Sequence, residues 1–233
     1  MSFLFTPPAV THLPIVGRDQ RFPVRRVFCV GRNYAEHAKE MGFSGREAPF
    51  FFMKPADALL VVEAGQTGRM AYPGLTRDLH HEIELVVAIG TGGTNIPAQD
   101  AMRHVFGYAV GLDMTRRDLQ NDMKKQGRPW EIGKAFEQSG PIGPITPVAE
   151  AGDIGGAAIW LQVNGQDRQR SDVSHLIWSI AETIEHISSA WTLAPGDLIF
   201  SGTPEGVAAV QTGDTLEGGV TGLAPLKVAI AAR

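Results

Sequence analysis

Residues 79–89 read Leu-His-His-Glu-Ile-Glu-Leu-Val-Val-Ala-Ile, an apolar run with two carboxylates near its start. The aliphatic residues from Leu85 onwards are typical of a strand that is buried on both faces. Because successive side chains of a strand alternate between its faces, Glu82 and Glu84 are expected on one face, about 6–7 Å apart. A cation between them would offset their repulsion and desolvation, and oxygen ligands favour Mg²⁺ or Mn²⁺. The alternative is a strand end that reaches solvent, where both glutamates are hydrated.

A third carboxylate follows a second apolar strand. Asp113 comes directly after the run 108–112, ahead of a predicted helix. Three carboxylates at strand ends can form one set of ligands on a divalent ion, which leaves the other positions to water and substrate. Taken by itself, Asp113 fits equally well as a turn residue before the helix. His80 is expected on the face of Glu82 and Glu84, so a His/Glu/Glu site for zinc or iron is a less favoured alternative.

The composition is that of a globular protein with many turns. The chain has 233 residues, of which 43% are hydrophobic and 20% charged, with 27 glycines and 15 prolines. Frequent turn residues between short apolar runs predict an α+β fold with mixed, mostly antiparallel strands and a few helices. We expect residues 1–24 to form an N-terminal arm and residues 25–233 to form a single domain.

Charge and sequence pattern argue against several classes of protein. The net charge is −4 and no long block of Lys or Arg occurs, which is untypical of a nucleic-acid-binding protein. No apolar run approaches membrane-spanning length and the chain does not start with a signal-peptide pattern, so we expect a cytoplasmic protein without a membrane partner. The single cysteine, Cys29, cannot form an internal disulfide and is expected as a small buried side chain.

Local signals predict one hairpin and several helices. The pair Asn164-Gly165 between two strand-like runs predicts a tight hairpin turn. Helices are predicted over 34–41 after Asn33, over 97–104, over 116–126 from a capping box of Thr115 and Asp118, and over 174–189 capped by Asp172.

The helix after Asn33 carries a possible general base. His37 and Glu40 are three residues apart, so they share one helix face. A carboxylate beside an imidazole raises its basicity and fixes its tautomer, which suits a base that activates water. The alternative is a solvated helix face with weak surface ion pairs.

Two lysines and a threonine are candidates for binding an anion. Lys134 follows Trp130-Glu131-Ile132-Gly133, and Lys54 ends the apolar strand 50–53. Either lysine could instead extend to the surface, an alternative that is strong for Lys54. Thr203 lies in a glycine-bracketed loop, where its hydroxyl could bind a carboxylate or simply form part of a turn.

Several separated motifs occur together in one order along the chain. They are Gly31-Arg32-Asn33-Tyr34-x-x-His37-x-x-Glu40, Lys54-Pro55, His81-Glu82-x-Glu84, Leu112-Asp113-x-Thr115-x-Arg117-Asp118-x-Gln120, Lys134 and Ser201-Gly202-Thr203-Pro204-x-Gly206. From Arg26 to the C-terminus, this order resembles the fumarylacetoacetate hydrolase family. Within the family the chain is most similar to the short acylpyruvase branch, and there to bacterial fumarylpyruvate hydrolases. The resemblance implies a compact, strand-rich α+β roll that forms a homodimer.

The resemblance also implies a role for each matching residue. Glu82, Glu84 and Asp113 match three ligands of Mg²⁺ or Mn²⁺. His37 and Glu40 match a dyad that activates water, and Lys134 matches a lysine that binds the substrate oxyanion. The residues that match substrate-binding positions are Arg32, Lys54, Arg117, Gln120 and Thr203.

The implied function is hydrolysis of the carbon–carbon bond of a 3-acylpyruvate, which is a small 2,4-dioxo acid. Fumarylpyruvate would give fumarate and pyruvate, as in gentisate-type aromatic catabolism, and its distal carboxylate needs a cation such as Arg32, Arg46, Arg77 or Arg117. One alternative keeps the metal site and decarboxylates oxaloacetate, or isomerises or hydrates a related 2-oxo acid. The other is a non-enzymatic β domain that a divalent ion stabilises.

Overall fold

The computed structural model describes residues 2–35 and 46–233, and strands dominate this part of the chain. The strands are β1 His12–Ile15, β2 Arg18–Pro23, β3 Val27–Gly31, β4 Phe50–Lys54, β5 Leu59–Val61, β6 Thr67–Ala71, β7 Leu79–His80, β8 Ile83–Ile89, β9 Val105–Leu112, β10 Thr115–Arg116, β11 Gly140–Ile142, β12 Thr146–Pro147, β13 Ala158–Val163, β14 Gln166–Asp172, β15 Leu198–Phe200, β16 Ala209–Val210, β17 Thr215–Val220 and β18 Leu226–Ala231. The helices are α1 Ala98–Ala101, α2 Arg117–Lys125, α3 Glu131–Lys134, α4 Val148–Ala151 and α5 Ile180–Ala190, with 3₁₀ turns at Ala56–Ala58, Met102–His104 and Val173–His175. The helix predicted over 34–41 extends into residues outside the described ranges.

Strand β8 lies at the middle of an eight-stranded sheet. Its neighbours β15 and β9 both run antiparallel to it. All seven residues of β8 are buried, which confirms the prediction of a strand buried on both faces. The strand order is β4-β3-β15-β8-β9-β11-β5, and β12 pairs with β9.

A five-stranded sheet, with the order β14-β13-β17-β18-β6, packs against one face of this main sheet. Ile83, Leu85 and Val87 belong to the same buried cluster as Leu161 of the second sheet. The two sheets approach closely at Gly218, where a Cβ atom would lie only 2.6 Å from Ile83 Cδ1. The larger core therefore lies between the two sheets.

The hairpin of β1 and β2 belongs to the opposite side of the main sheet. Leu13 and Phe22 from the hairpin form a second buried cluster with residues such as Val86 of β8. Leu4 is 98% exposed, by contrast. The predicted arm therefore contains a hairpin that contributes to the core, while the domain boundary at residue 25 stays a prediction.

The strand predicted over 79–89 is interrupted. Strand β7 pairs with β10 and β16 in a separate three-stranded sheet, and β8 begins only at Ile83. Glu82 therefore lies in the break between two strands, and only Glu84 lies on β8. The single regular strand was wrong because the two segments pair with different partners.

The capping box predicted from Thr115 and Asp118 is wrong. Thr115 lies in β10, opposite His80, and its hydroxyl donates to the carbonyl oxygen of Asp113 at 3.0 Å. Helix α2 begins at Arg117 with no side-chain cap. Tertiary strand pairing overrides the local signal at this position.

The longest helix of the described residues begins later than predicted. Asp172 accepts a hydrogen bond from the N–H of Ser174 at 2.9 Å, but this bond caps a 3₁₀ turn. Helix α5 begins after Ser179, which forms a capping box with Glu182. No helix in the described part of the chain is long and apolar enough to span a membrane.

The predicted hairpin turn is confirmed. Asn164 and Gly165 connect β13 to β14 with φ values of 52° and 76°. Two successive residues with positive φ are what a tight hairpin turn of the mirror-image type requires.

Candidate metal centre and active site

Three buried carboxylates converge beside the main sheet. One oxygen of each of Glu82, Glu84 and Asp113 lies within 4.8 Å of the others. Glu84 lies on β8, and Asp113 follows the neighbouring strand β9. The N–H of Asp113 donates to the carbonyl oxygen of Glu82 at 2.8 Å, one residue beyond the end of the ladder. The pairing of β8 with β9 therefore brings together carboxylates that are distant in the chain.

Three basic side chains of the described residues contact these carboxylates. Lys134 Nζ lies 2.8 Å from Glu82 Oε2 and 2.6 Å from Asp113 Oδ2. Lys54 Nζ lies 2.8 Å from Asp113 Oδ1, and Arg117 pairs with Glu82 Oε1. Lys54 is only 1% exposed, so the alternative that it extends to the surface is wrong.

Glu84 has a different environment from the other two carboxylates. Its Oε2 accepts a hydrogen bond from the N–H of Gly202 at 2.8 Å, and it forms no ion pair with a described residue. Burial, together with the neighbouring Asp113 and Glu82, raises the pKa of Glu84 well above its ordinary value. Gly202 has a φ of 101°, and a Cβ there would lie 2.7 Å from Asn33 Cβ, so the position favours glycine.

The donor set fits a hard divalent ion. Carboxylate oxygens are the ligands that Mg²⁺ and Mn²⁺ prefer, and an ion would supply the positive charge that Glu84 lacks. His80 does not join the group, because its Nε2 lies 2.9 Å from Asp78 Oδ1 and its Nδ1 faces Arg117 Nε. The His/Glu/Glu alternative is therefore wrong for the residues that the structure describes.

A cavity of about 30 Å³ opens beside the carboxylates. Its walls include four of the five residues predicted to bind substrate, namely Arg32, Arg117, Gln120 and Thr203. Lys54 is not in the wall and reaches the site through Asp113. The other lining residues are Val30, Gly31, Phe52, Glu82, Glu84, Asp113, Trp130 and Lys134.

Comparison with known proteins places the chain in a family. Residues 26–231 match the family model described as fumarylacetoacetate (FAA) hydrolase C-terminal. The chain belongs to the fumarylacetoacetate hydrolase family. The crystal structure of fumarylpyruvate hydrolase from Pseudomonas aeruginosa, in complex with Mn²⁺ and pyruvate, is 58% identical and superposes with a TM-score of 0.98 over 100% of both chains. The predicted family and its strand-rich fold are confirmed.

Curated members of the fumarylacetoacetate hydrolase family include relatives named for other reactions. The mitochondrial oxaloacetate tautomerase FAHD1 of Rattus norvegicus is 41% identical over 203 residues, which cover 87% of this chain and 90% of the relative. The mitochondrial oxaloacetate decarboxylase of Dictyostelium discoideum is 40% identical over 199 residues, 85% of this chain and 90% of the relative. The family is therefore one of enzymes, whose members act on different oxo acids.

The sequence did not predict the role of Gln169, a buried residue that supports the site of this family member. Gln169 Oε1 accepts hydrogen bonds from the N–H of Ile83 at 3.1 Å and from His81 Nδ1 at 2.9 Å. Its Nε2 donates to Thr203 Oγ1 at 2.9 Å and to the carbonyl oxygen of Pro204 at 2.8 Å. Gln169 lies in a strand of polar residues, and nothing in that pattern marks which of them is buried.

The two side chains that Gln169 bonds, Thr203 and His81, have roles of their own beside the site. Thr203 Oγ1 donates to the carbonyl oxygen of Ile83 at 2.8 Å, so its hydroxyl holds the 201–206 loop against β8. Burial lowers the pKa of His81 to about 4 although Gln169 bonds its ring, so His81 is neutral at physiological pH. The predicted dyad of His37 and Glu40 lies outside the described residues.

Proposed function

We propose that this family member is a metal-dependent hydrolase that cleaves the carbon–carbon bond of a 3-acylpyruvate. Its substrate would be fumarylpyruvate, a 2,4-dioxo acid, and its products fumarate and pyruvate. The proposal depends on the buried group of Glu82, Glu84 and Asp113, with Lys134 bonded to two of the three carboxylates. It is supported by the similarity over the whole chain to a fumarylpyruvate hydrolase whose structure contains Mn²⁺ and pyruvate. We propose Mg²⁺ or Mn²⁺ as the ion.

The charge balance of the site favours an anionic substrate. Three basic side chains pair with Glu82 and Asp113, and the raised pKa of Glu84 favours its neutral form, so the group carries no excess negative charge before an ion binds. A divalent ion adds two positive charges in a buried setting, where charges interact more strongly than in water. The carboxylate and 2-oxo oxygen of a 2,4-dioxo acid would supply negative charge and oxygen ligands together.

The metal and Lys134 would stabilise the leaving enolate of pyruvate. A divalent ion held by the three carboxylates supplies Lewis-acid stabilisation, which contributes on the order of several kcal/mol. Burial by itself lowers the pKa of Lys134, but Asp113 and Glu82 raise it above its ordinary value. Lys134 therefore stays protonated and donates to the oxyanion. Arg117 Nη1 donates to Gln120 Oε1 at 2.5 Å, which orients that amide in the cavity wall.

The proton of the attacking water would go to His37, which Glu40 would orient. Hydroxide then attacks the distal carbonyl carbon, and the bond to the pyruvate fragment breaks. This assignment rests on the sequence, since both residues lie outside the described ranges. A general base of this kind contributes about 10²–10⁴-fold to the rate, so His37→Ala should lose that much.

A substrate panel with defined metals tests the proposal. After exhaustive chelation, the protein is assayed with fumarylpyruvate, acetylpyruvate and oxaloacetate, with and without Mg²⁺ or Mn²⁺. We expect metal-dependent turnover of fumarylpyruvate that Asp113→Asn abolishes, because this change removes a ligand charge at constant size. Asp167→Asn, at an exposed ion pair on the 158–172 hairpin, is the matched control and should retain turnover. Full turnover after chelation, or in Asp113→Asn, would contradict the proposal.

Oxaloacetate is the second candidate substrate. The oxaloacetate tautomerase and decarboxylase among the relatives favour it, because their reactions also pass through an enolate. Metal-dependent turnover of oxaloacetate that exceeds that of fumarylpyruvate would select this alternative. A domain that an ion merely stabilises would turn over none of the three compounds. The cytoplasmic location and the homodimer stay predictions.

A further inference from the structure

Two cavities meet at the candidate active site. The cavity beside the carboxylates, at about 30 Å³, has room for an ion or a water molecule but not for a whole organic acid. A second cavity, of about 390 Å³, shares Arg32, Phe52 and Trp130 with the first. A substrate anchored at the carboxylates can therefore extend past these three side chains into the larger cavity.

The larger cavity has an aromatic wall. Trp130 meets Phe50 edge-on, with ring centroids 5.2 Å apart, and lies 6.0 Å from the ring centroid of Phe52. Phe51 and Pro129 complete the apolar part of the lining. Aromatic rings that already pack against one another form a rigid surface, against which a flat conjugated group can bury its area.

Basic side chains accompany this aromatic wall. The guanidinium carbon of Arg32 lies 5.0 Å from the ring centroid of Phe50, and Arg32 adopts a φ of 58°, which non-glycine residues rarely do. Arg128 lies at the exposed side of the cavity and forms no ion pair with a described residue. The described lining contains the two basic residues Arg32 and Arg128 and the acidic residue Glu131, and Glu47 lies close enough to Arg32 to act on its pKa.

We propose that the larger cavity binds the acyl arm of the substrate, and that Arg32 and Arg128 bind an anionic group at the far end of that arm. This inference rests on the proposed function and adds which residues would bind the far end of a flat acyl group that ends in a carboxylate. Guanidinium groups suit this task because they bind carboxylates through two parallel N–H donors. An acetyl arm carries no such charge, and oxaloacetate lacks the arm altogether.

A pair of substrates isolates the far end of the arm. Fumarylpyruvate and acetylpyruvate share the 2,4-dioxo acid head and differ in the terminal carboxylate. The measured quantity is the ratio of kcat/KM for fumarylpyruvate to that for acetylpyruvate. We expect Arg128→Gln to lower this ratio about 10- to 100-fold, mainly through KM, the loss typical of a hydrogen bond to a charged group. Arg128→Lys, which keeps the charge, should recover part of the ratio.

The controls separate this inference from the proposed function. Arg103→Gln removes a surface guanidinium whose side chain is 83% exposed and outside both cavities, and it should leave the ratio unchanged. Arg32→Gln should lower the ratio in the same direction as Arg128→Gln. If the ratio is unchanged in both variants, the inference is overturned and the proposed function stands. An equal loss of kcat/KM on both substrates counts as an unchanged ratio. If the wild-type protein turns over neither substrate with either metal, the proposed function fails and the inference fails with it.

Discussion

At the scale of single residues, Glu84 links proton binding to metal binding. Its raised pKa means that the metal-free folded protein holds a proton that the unfolded chain has already released. The stability gained by burying neutral Glu84 is therefore present at low pH and is lost as the pH rises through the raised pKa. A divalent ion replaces that proton. We expect the stabilisation by Mg²⁺ to grow with pH, with an apparent affinity that rises up to about tenfold per pH unit below this pKa.

Thermal unfolding between pH 5.5 and 8, with chelator or with Mg²⁺, measures this dependence. Glu84→Gln is the matched control, because glutamine has nearly the same shape and does not titrate. The metal-free variant should lose less stability than the metal-free wild type as the pH rises, and Mg²⁺ should stabilise it little at any pH. A wild-type response to Mg²⁺ that is equal at both ends of the range would count against a buried proton on Glu84.

At the scale of secondary structure, Gln169 joins three segments of the site. It lies on β14, and its side-chain amide forms hydrogen bonds with the N–H of Ile83, at the start of β8, and with Thr203 in the 201–206 loop. Gln169→Leu would leave the N–H of Ile83 and the ring of His81 buried without these partners. We expect a loss of about 2–4 kcal/mol in the free energy of unfolding. The affinity for a divalent ion should fall about tenfold, because Ile83 lies between Glu82 and Glu84.

Urea unfolding and a metal titration check this prediction. Gln162→Leu on the adjacent strand β13 is the control, since Gln162 bonds only the exposed side chain of Asp167 among the contacts described. Its stability should stay within about 0.5 kcal/mol of the wild type. If Gln169→Leu unfolds at the same urea concentration as the wild type, Gln169 is not the support that its hydrogen bonds indicate.

The sequence predicts some of these elements and not others, for physical reasons. The apolar runs of β8 and β9 predict buried strands, because aliphatic residues in both alternating positions leave few other solutions. Asn164-Gly165 predicts its turn because the backbone there needs positive φ. Thr115 and Gln169 are different, since their roles depend on partners distant in the chain, and a local pattern carries no information about those partners. The three carboxylates could be proposed as a group from strand ends, but their contacts with Lys54, Lys134 and Arg117 required the fold.

At the scale of the whole molecule, the strand that carries Glu84 is buried on both faces. The second sheet covers one face, and the larger core fills that space. The hairpin of β1 and β2 contributes to the smaller core with Leu13 and Phe22, next to strands β8 and β15. The position of the site therefore depends on residues near the start of the chain that make no contact with it.

Leu13→Ala tests that dependence. Leu13 is fully buried, so the change should lower the free energy of unfolding by about 2–5 kcal/mol, the usual cost of a cavity at a buried leucine. Leu4→Ala removes the same atoms from a side chain that is 98% exposed, and should stay within about 0.5 kcal/mol of the wild type. Chemical denaturation of both variants gives the comparison. Deletion of residues 1–11 should be tolerated, whereas deletion of residues 1–23, which removes the hairpin, should not. Equal stability of the two variants would mean that the hairpin rests on the sheet without supporting it, and the site would then depend only on the two packed sheets.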